Sequence, residues 1–588
     1  MMTTLQRFPL RYRDSDRGFA LVLVIAIGAI LVMLATISVT VAVSGVTKSQ
    51  QDRDWAGAGS AAFAGIEEYR SRLGNDSTYT KYGNPSDTRF GAGGTRVLPT
   101  GAQVNPAFGI GPTNSTTGTW ATVAGSNGTA RFRYEVDNSA YLTSGVLRVR
   151  STGVVGSATR SIIANLKPTG FINFVYFTNF ETLDPALYPN TPNCDSYAWA
   201  GRSTSCTLIQ FATADNIQGD VHSNDTLQIC GSTFTGVVTT GNASLINGRL
   251  FGVPYGCPVT TAAVTTSAVI GIPATNSALA QEVRSDLTGS SVPIPGCLYT
   301  GPTSITYNVG GTMTVRSPWT QKTNLGGDHN TATSGSINPA CGLPGPLGLG
   351  SMLGATILVP DHNVIYVQQV PPRSTDPNYW GASVPGTVAQ PYSCTGAGGV
   401  GVGNGIGYPM ANEVSPANVT TPYGCKSGDV FVQGVLKGQE TVTADGYVYV
   451  VGDLTYSNQA SDLLGLVGVN AVWVWNPINS ANQTILTDSG REIDASILSL
   501  THSFQVQNYD QGSVRGVLTV TGSIAQFFRG TVGTGNPISK GYVKRYIYDP
   551  RLKFTAPPKF LSPVTTSYDV ITSIDTAPAF SSDGNFKP

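Results

Sequence analysis

The sequence predicts a mainly β protein carried on one long N-terminal transmembrane and amphipathic α-helix. A small β head is followed by a β-solenoid (β-helix)-like region with a Gly/Pro-rich, disulfide-bearing insertion. Three observations predict this. An uncharged apolar run lies between Arg17 and Lys48, charged residues make up only 12% of the chain while glycines number 69, and all eight cysteines fall between positions 194 and 425. A chain so poor in charge and rich in Gly does not sustain long surface helices, which leaves strands and turns for most of its length. The net charge is zero, so no basic surface argues for nucleic acid.

The first element is the apolar run itself, Phe19 to Val46. Its residues as a helix span roughly 42 Å, more than the ~30 Å hydrocarbon core of a bilayer. The segment before it holds Arg7, Arg11, Arg13 and Arg17 against Asp14 and Asp16, whereas Lys48, Asp52, Arg53 and Asp54 on the far side cancel. The positive-inside rule then puts residues 1–18 in the cytoplasm and the rest outside, as a single-pass inner-membrane topology. A cleaved secretory signal has an apolar core of only about 7–15 residues, which this run exceeds. A plain uncleaved anchor satisfies the same pattern.

Beyond the membrane run, Trp55, Ala58, Ala62, Ile66, Tyr69 and Leu73 recur at steps of three and four and predict one apolar helical stripe. Glu68 and Arg72 form a favourable i, i+4 pair, and Gly74, Asn75 and Asp76 stop the helix. One continuous helix over 19–73 follows, its membrane part being 19–46. Within 74–168, the segments TWATVAG, ARFRYEV, GVLRVRSTGVV and ATRSIIANLK alternate apolar and polar residues, as strands with one wet face do. A boundary is expected near Lys167 to Phe171. From 169 to 588 short apolar pieces separated by Gly, Asn and Asp predict stacked coils without a countable repeat, interrupted over about 255–425.

The basic leader ending in Gly18, then Phe19, then the long apolar helix resembles the class III signal of type IV prepilins. The strand, turn and strand VRSTGVVGSATRSIIANL resembles the end of the head of PilX-type minor pilins. The C-terminal pieces LLGLVGVNAVWVWNP, GSIAQFFRG and YDPRLKFTAPPKFLSP resemble the end of large proteins with PilX-like N-termini in bacterial pilus and pseudopilus operons. The resemblance implies cleavage after Gly18 by a prepilin peptidase and methylation of Phe19. It also implies a pilin-like head over 74–168, partners among the other pilins of a fibre, and no enzyme activity or cofactor. One departure matters: the fifth mature position, Glu in most pilins, is Leu23. A subunit without that carboxylate inside a filament leaves a neighbour's buried ammonium unpaired, a cost that vanishes at the tip. The expectation is a minor, tip-type pilus or pseudopilus subunit at the membrane and then the pilus tip or cell surface, meeting a surface or glycan ligand.

Cys194, Cys206, Cys230, Cys257, Cys297, Cys341, Cys394 and Cys425 show no CxxC spacing, so exported disulfides are expected rather than a metal site. Proximity suggests Cys194 with Cys206, Cys230 with Cys257, and Cys394 with Cys425. Asp220, His222 and Asn224 alternate, with Asp225 beside them. Carboxylate and imidazole on one solenoid face suit acid–base chemistry on a polysaccharide, or calcium, but equally a polar ladder that turns a coil. No GxSxG, Walker or HExxH pattern occurs. The alternatives are therefore a membrane-anchored β-solenoid enzyme acting on polysaccharide and a static envelope protein.

Overall fold

The computed structural model describes residues 17–85, 90, 97–101, 104–109, 119–141, 145–168, 170–188, 192–289, 291–383, 385–386, 404–414, 423–563 and 568–587. The leader residues 1–16, Cys394 and most of the glycine run 396–407 lie outside them.

A single helix runs Arg17–Asn75. From Ala20 to Arg53 its side chains are almost wholly uncovered, the apolar part of this stretch ending at Val46. It is the one helix among the described residues long and apolar enough to cross a membrane. Further on, Ala58, Ala62, Ile66, Tyr69 and Leu73 are buried, as their spacing predicts. Trp55, placed by the same spacing in the stripe, is instead exposed, with the Arg160 guanidinium 3.8 Å over its ring. The docking is close because Gly153 faces the helix: a Cβ there would lie 2.1 Å from the Ala58 carbonyl oxygen.

The helix lies on a five-stranded antiparallel sheet in the order Ala121–Thr122, Ala130–Asp137, Leu147–Val155, Ala158–Pro168 and Tyr568–Thr576. Phe132, Tyr134, Val136, Leu147 and Val149 face the helix and close a small core with Tyr69 and Leu73. Arg150 and Glu135, expected on the wet face, are buried and paired at 2.6 Å. The last strand comes from the far end of the chain. It pairs Tyr568 with Pro168 and Thr576 with Ser161, inside the stretch 169–588 that the sequence assigns wholly to the distal region. Everything between Pro168 and Tyr568 is thus an insertion into the head's sheet.

That insertion is a β-solenoid with parallel pairing between coils. On one face, residues stack in register as Cys297, Ile365, Val442, Leu466, Ile497, Ile524, Tyr176, Val221 and Val238. All nine are buried in one aliphatic core. Each fully buried side chain of this size contributes about 1.5–3 kcal/mol. The strands Thr303–Asn308, Val430–Leu436, Tyr447–Tyr456, Ala471–Val474 and Phe504–Val506 stack on a second face. A third carries 491–495, 514–522, Lys540–Tyr548 and Asn216–Gln218, the first two being the leading parts of strands whose ends, with Ile497 and Ile524, lie on the first face.

The order of coils is not the order of the chain. Tyr176, where the chain enters, stacks on Ile524, where it is about to leave. From Tyr176 the coils grow outward to Val264–Thr266. The chain then crosses the outside of the stack, through the short helix Ser277–Gln281, to Cys297 and coils back. Within 255–425, expected to interrupt the solenoid, Cys297–Thr300, Thr303–Asn308 and Asn363–Gln368 are coils of it. Two buried ion pairs cross the seam where the stacks meet, Arg529 with Glu181 at 2.5 Å and Lys544 with Asp215 at 2.7 Å.

Candidate functional site

The polar segment at 220–225 lies one coil from that seam. His222 sits on the strand Val221–Ser223, whose coil neighbours are Tyr176–Phe180 and Val238–Thr240. Its ring is buried between Phe174 and Phe177, with centroids 5.3 and 5.7 Å away. Nδ1 lies 2.8 Å from the Thr239 hydroxyl and Nε2 lies 3.1 Å from Asn224 Oδ1. Burial lowers its pKa to about 4, so at neutral pH the ring is uncharged. A neutral ring satisfies both contacts when Nε2–H donates to Asn224 and Nδ1 accepts from Thr239.

Asn224 passes the network on. Its amide donates to Asn179 Oδ1 at 2.8 Å and to the Ile270 carbonyl at 2.7 Å, tying the crossing segment to the coils. Asp225 points elsewhere. Its carboxylate accepts from the Glu181 N–H at 2.9 Å and the Ala198 N–H at 3.0 Å, and pairs with the Arg202 guanidinium. Asp220 accepts from the Val237 N–H at 2.9 Å, turning the coil. Of the four residues that the sequence groups, only His222 and Asn224 touch. His222, Asn224 and Asp225 are buried with their polar atoms engaged inside the chain, Asp220 is half-buried, and no group of three His, Cys, Asp or Glu fit to hold a metal occurs among the described residues.

What these groups do hold is a loop. Cys194 and Cys206 are bonded and close it. Inside it, Ala198–Ala200 makes one 3-10 turn, pinned by Asp225 through the Ala198 N–H. The Tyr197 hydroxyl donates to Asn179 Oδ1 at 2.9 Å, the same oxygen that Asn224 engages. Phe180 in the buried coil, Tyr197 above it and Trp199 at the surface form an aromatic column, with centroids 5.1 and 4.8 Å apart. The outer pair is stacked at 16°. Trp199 is 39% exposed. The sequence reading passed over this pair; two aromatics at i and i+2 between close cysteines were the signal for it.

The disulfides Cys194–Cys206 and Cys230–Cys257 match the proximity pairs. Cys297–Cys341 is a third, which proximity did not single out. Cys425 is also disulfide-bonded. Gly18 and Phe19 lie in the first turn of the helix, and Leu23 is exposed one turn later.

No family model matches the chain, and no curated protein does. Among solved structures, the crystal structure of the competence-associated pilin ComZ from Thermus thermophilus aligns with 89% of this chain and 97% of its own, at 12% identity and a TM-score of 0.28. A likeness that loose carries no argument about either fold or function.

Proposed function

We propose that the chain is a minor, tip-type subunit of a type IV pilus or pseudopilus, non-catalytic, whose solenoid is the part presented to a surface or partner. The observation that carries the reading is the helix Arg17–Asn75. Its apolar first half packs on nothing among the described residues, and its second half is docked on a small antiparallel sheet. An element of this kind needs lipid first and a bundle of like helices afterwards, which a fibre supplies. The Gly18–Phe19 junction supports processing by a prepilin peptidase, with residues 1–18 cytoplasmic and the head outside.

Leu23 supports the tip position, because a subunit lacking the usual carboxylate has no partner to offer a neighbour's amine. The bulk of the insertion supports it too, since a solenoid hung on every head would collide along a closely packed shaft. The inward hydrogen bonding of His222, Asn224 and Asp225 supports a structural role for the polar segment rather than a catalytic one.

The test is immunogold labelling of fibres sheared from cells with and without the prepilin peptidase. Label at fibre ends that disappears with the peptidase is expected. Label that stays with the membrane in both strains contradicts the reading.

A further inference from the structure

The column Phe180–Tyr197–Trp199 is built like a platform. Three independent restraints fix it: the disulfide that closes the loop, the Asp225 carboxylate that holds the Ala198 N–H and Arg202, and the Tyr197 hydrogen bond to Asn179. A surface tryptophan with no function tolerates rotation. This one has one face stacked on Tyr197, a ring that itself packs at a 42° tilt on Phe180 in the buried coil, and it remains 39% exposed for a ligand.

The surroundings narrow the ligand. Ser196, Ser203, Thr204 and Ser205 are exposed on the same loop and offer hydroxyls. Arg202, the loop's one cation, is spent on buried Asp225, while Asp195 stands exposed. On this loop a phosphate-bearing or otherwise anionic ligand therefore meets a carboxylate and no free cation. What fits a flat aromatic face on a loop rich in exposed hydroxyls is a neutral pyranose. Its axial C–H face covers the indole while its equatorial hydroxyls reach the rim, and β-linked hexopyranoses carry the flattest such face.

We propose that Trp199, stacked on Tyr197, is the sugar-binding platform of this protein and takes a neutral β-linked hexopyranose chain. The inference rests on the presented role of the solenoid proposed above. It names that role's ligand class.

The test is calorimetric titration of the full chain in lipid nanodiscs, free of glycoside detergent, with chitotetraose and with cellotetraose. At least one probe is expected to bind. Trp199→Ala and Trp199→Leu are expected to weaken it about tenfold or more, the second because leucine keeps apolar bulk without a flat face. Trp199→Phe, which keeps a ring, is expected to retain most of the affinity. Binding of neither probe to the unaltered chain overturns the proposal, as does a Trp199→Leu variant that binds like the parent. The outcomes separate from those of the fibre reading. A chain that begins at Phe19 yet binds neither probe overturns the platform alone, and one that retains residues 1–18 yet binds through Trp199 overturns the fibre reading alone.

Discussion

His222 carries a pH signature on the acid side. Its folded pKa of about 4 lies below the ordinary histidine value, so between those limits the unfolded chain binds a proton that the folded chain refuses. Stability is therefore full above about pH 6.5 and is lost as pH falls toward 4, by at most about 3 kcal/mol from this group. His222→Asn is expected to flatten that part of the acid limb in a denaturant series measured at several pH values. An unchanged slope contradicts the burial argument. At the seam, Arg529→Met leaves Glu181 buried and unpaired and is expected to cost about 3–5 kcal/mol. Replacing Glu181 as well, by Gln or Leu, should recover much of it, because the penalty belongs to the orphaned charge; a double variant as unstable as the single one counts against this. The sequence showed His222 and Asn224 as alternating neighbours. It did not show that Asp225 faces the other way, because the partners that turn it, Ala198 and Arg202, come from a separate loop.

Among the elements, the helix was the most legible, since period and stop signals are local: the spacing predicted 19–73 and the structure has Arg17–Asn75. Trp55 left the expected stripe and is exposed, with the Arg160 guanidinium of the strand Ala158–Pro168 over its ring. The coils were legible as a texture but not as a repeat. In the core column the steps from Val442 to Leu466, Ile497 and Ile524 are 24, 31 and 27 residues, since loops of different length leave the stack between strands. No fixed period survives such insertions, whereas the aliphatic residues that fill each coil do. Where helix meets sheet, Gly153→Val is expected to push against the Ala58 carbonyl and destabilise the docking by about 1–3 kcal/mol. Faster proteolysis within 48–75 in detergent checks this, and a cleavage rate equal to the parent's counts against it.

At the scale of the whole molecule, the decisive feature is the return of Tyr568–Thr576 to the sheet that Pro168 leaves. Sequence order hides it, because the pairing spans the entire solenoid and its strand looks like any other exposed C-terminal piece. The same holds for the stacking of Tyr176 on Ile524. Both follow from one geometrical fact: a solenoid whose chain enters and leaves at neighbouring coils can be inserted between two adjacent strands of a head. The solenoid is thereby held to the head at two points, with the Lys167 ammonium donating to the carbonyls of Leu552 and Thr555 between them. Ending the chain at residue 563 is expected to strip hydrogen-exchange protection from 158–168 while leaving the coils of 439–526 protected. Equal loss in both regions would contradict an independent solenoid core.

The proposed role depends on the fate of the first eighteen residues. The most direct measurement is intact mass with N-terminal sequencing of the protein extracted from membranes of cells that hold a matched prepilin peptidase. The account predicts a mature chain beginning at N-methylated Phe19; a chain that still carries residues 1–18 would contradict it and leave a membrane-anchored solenoid.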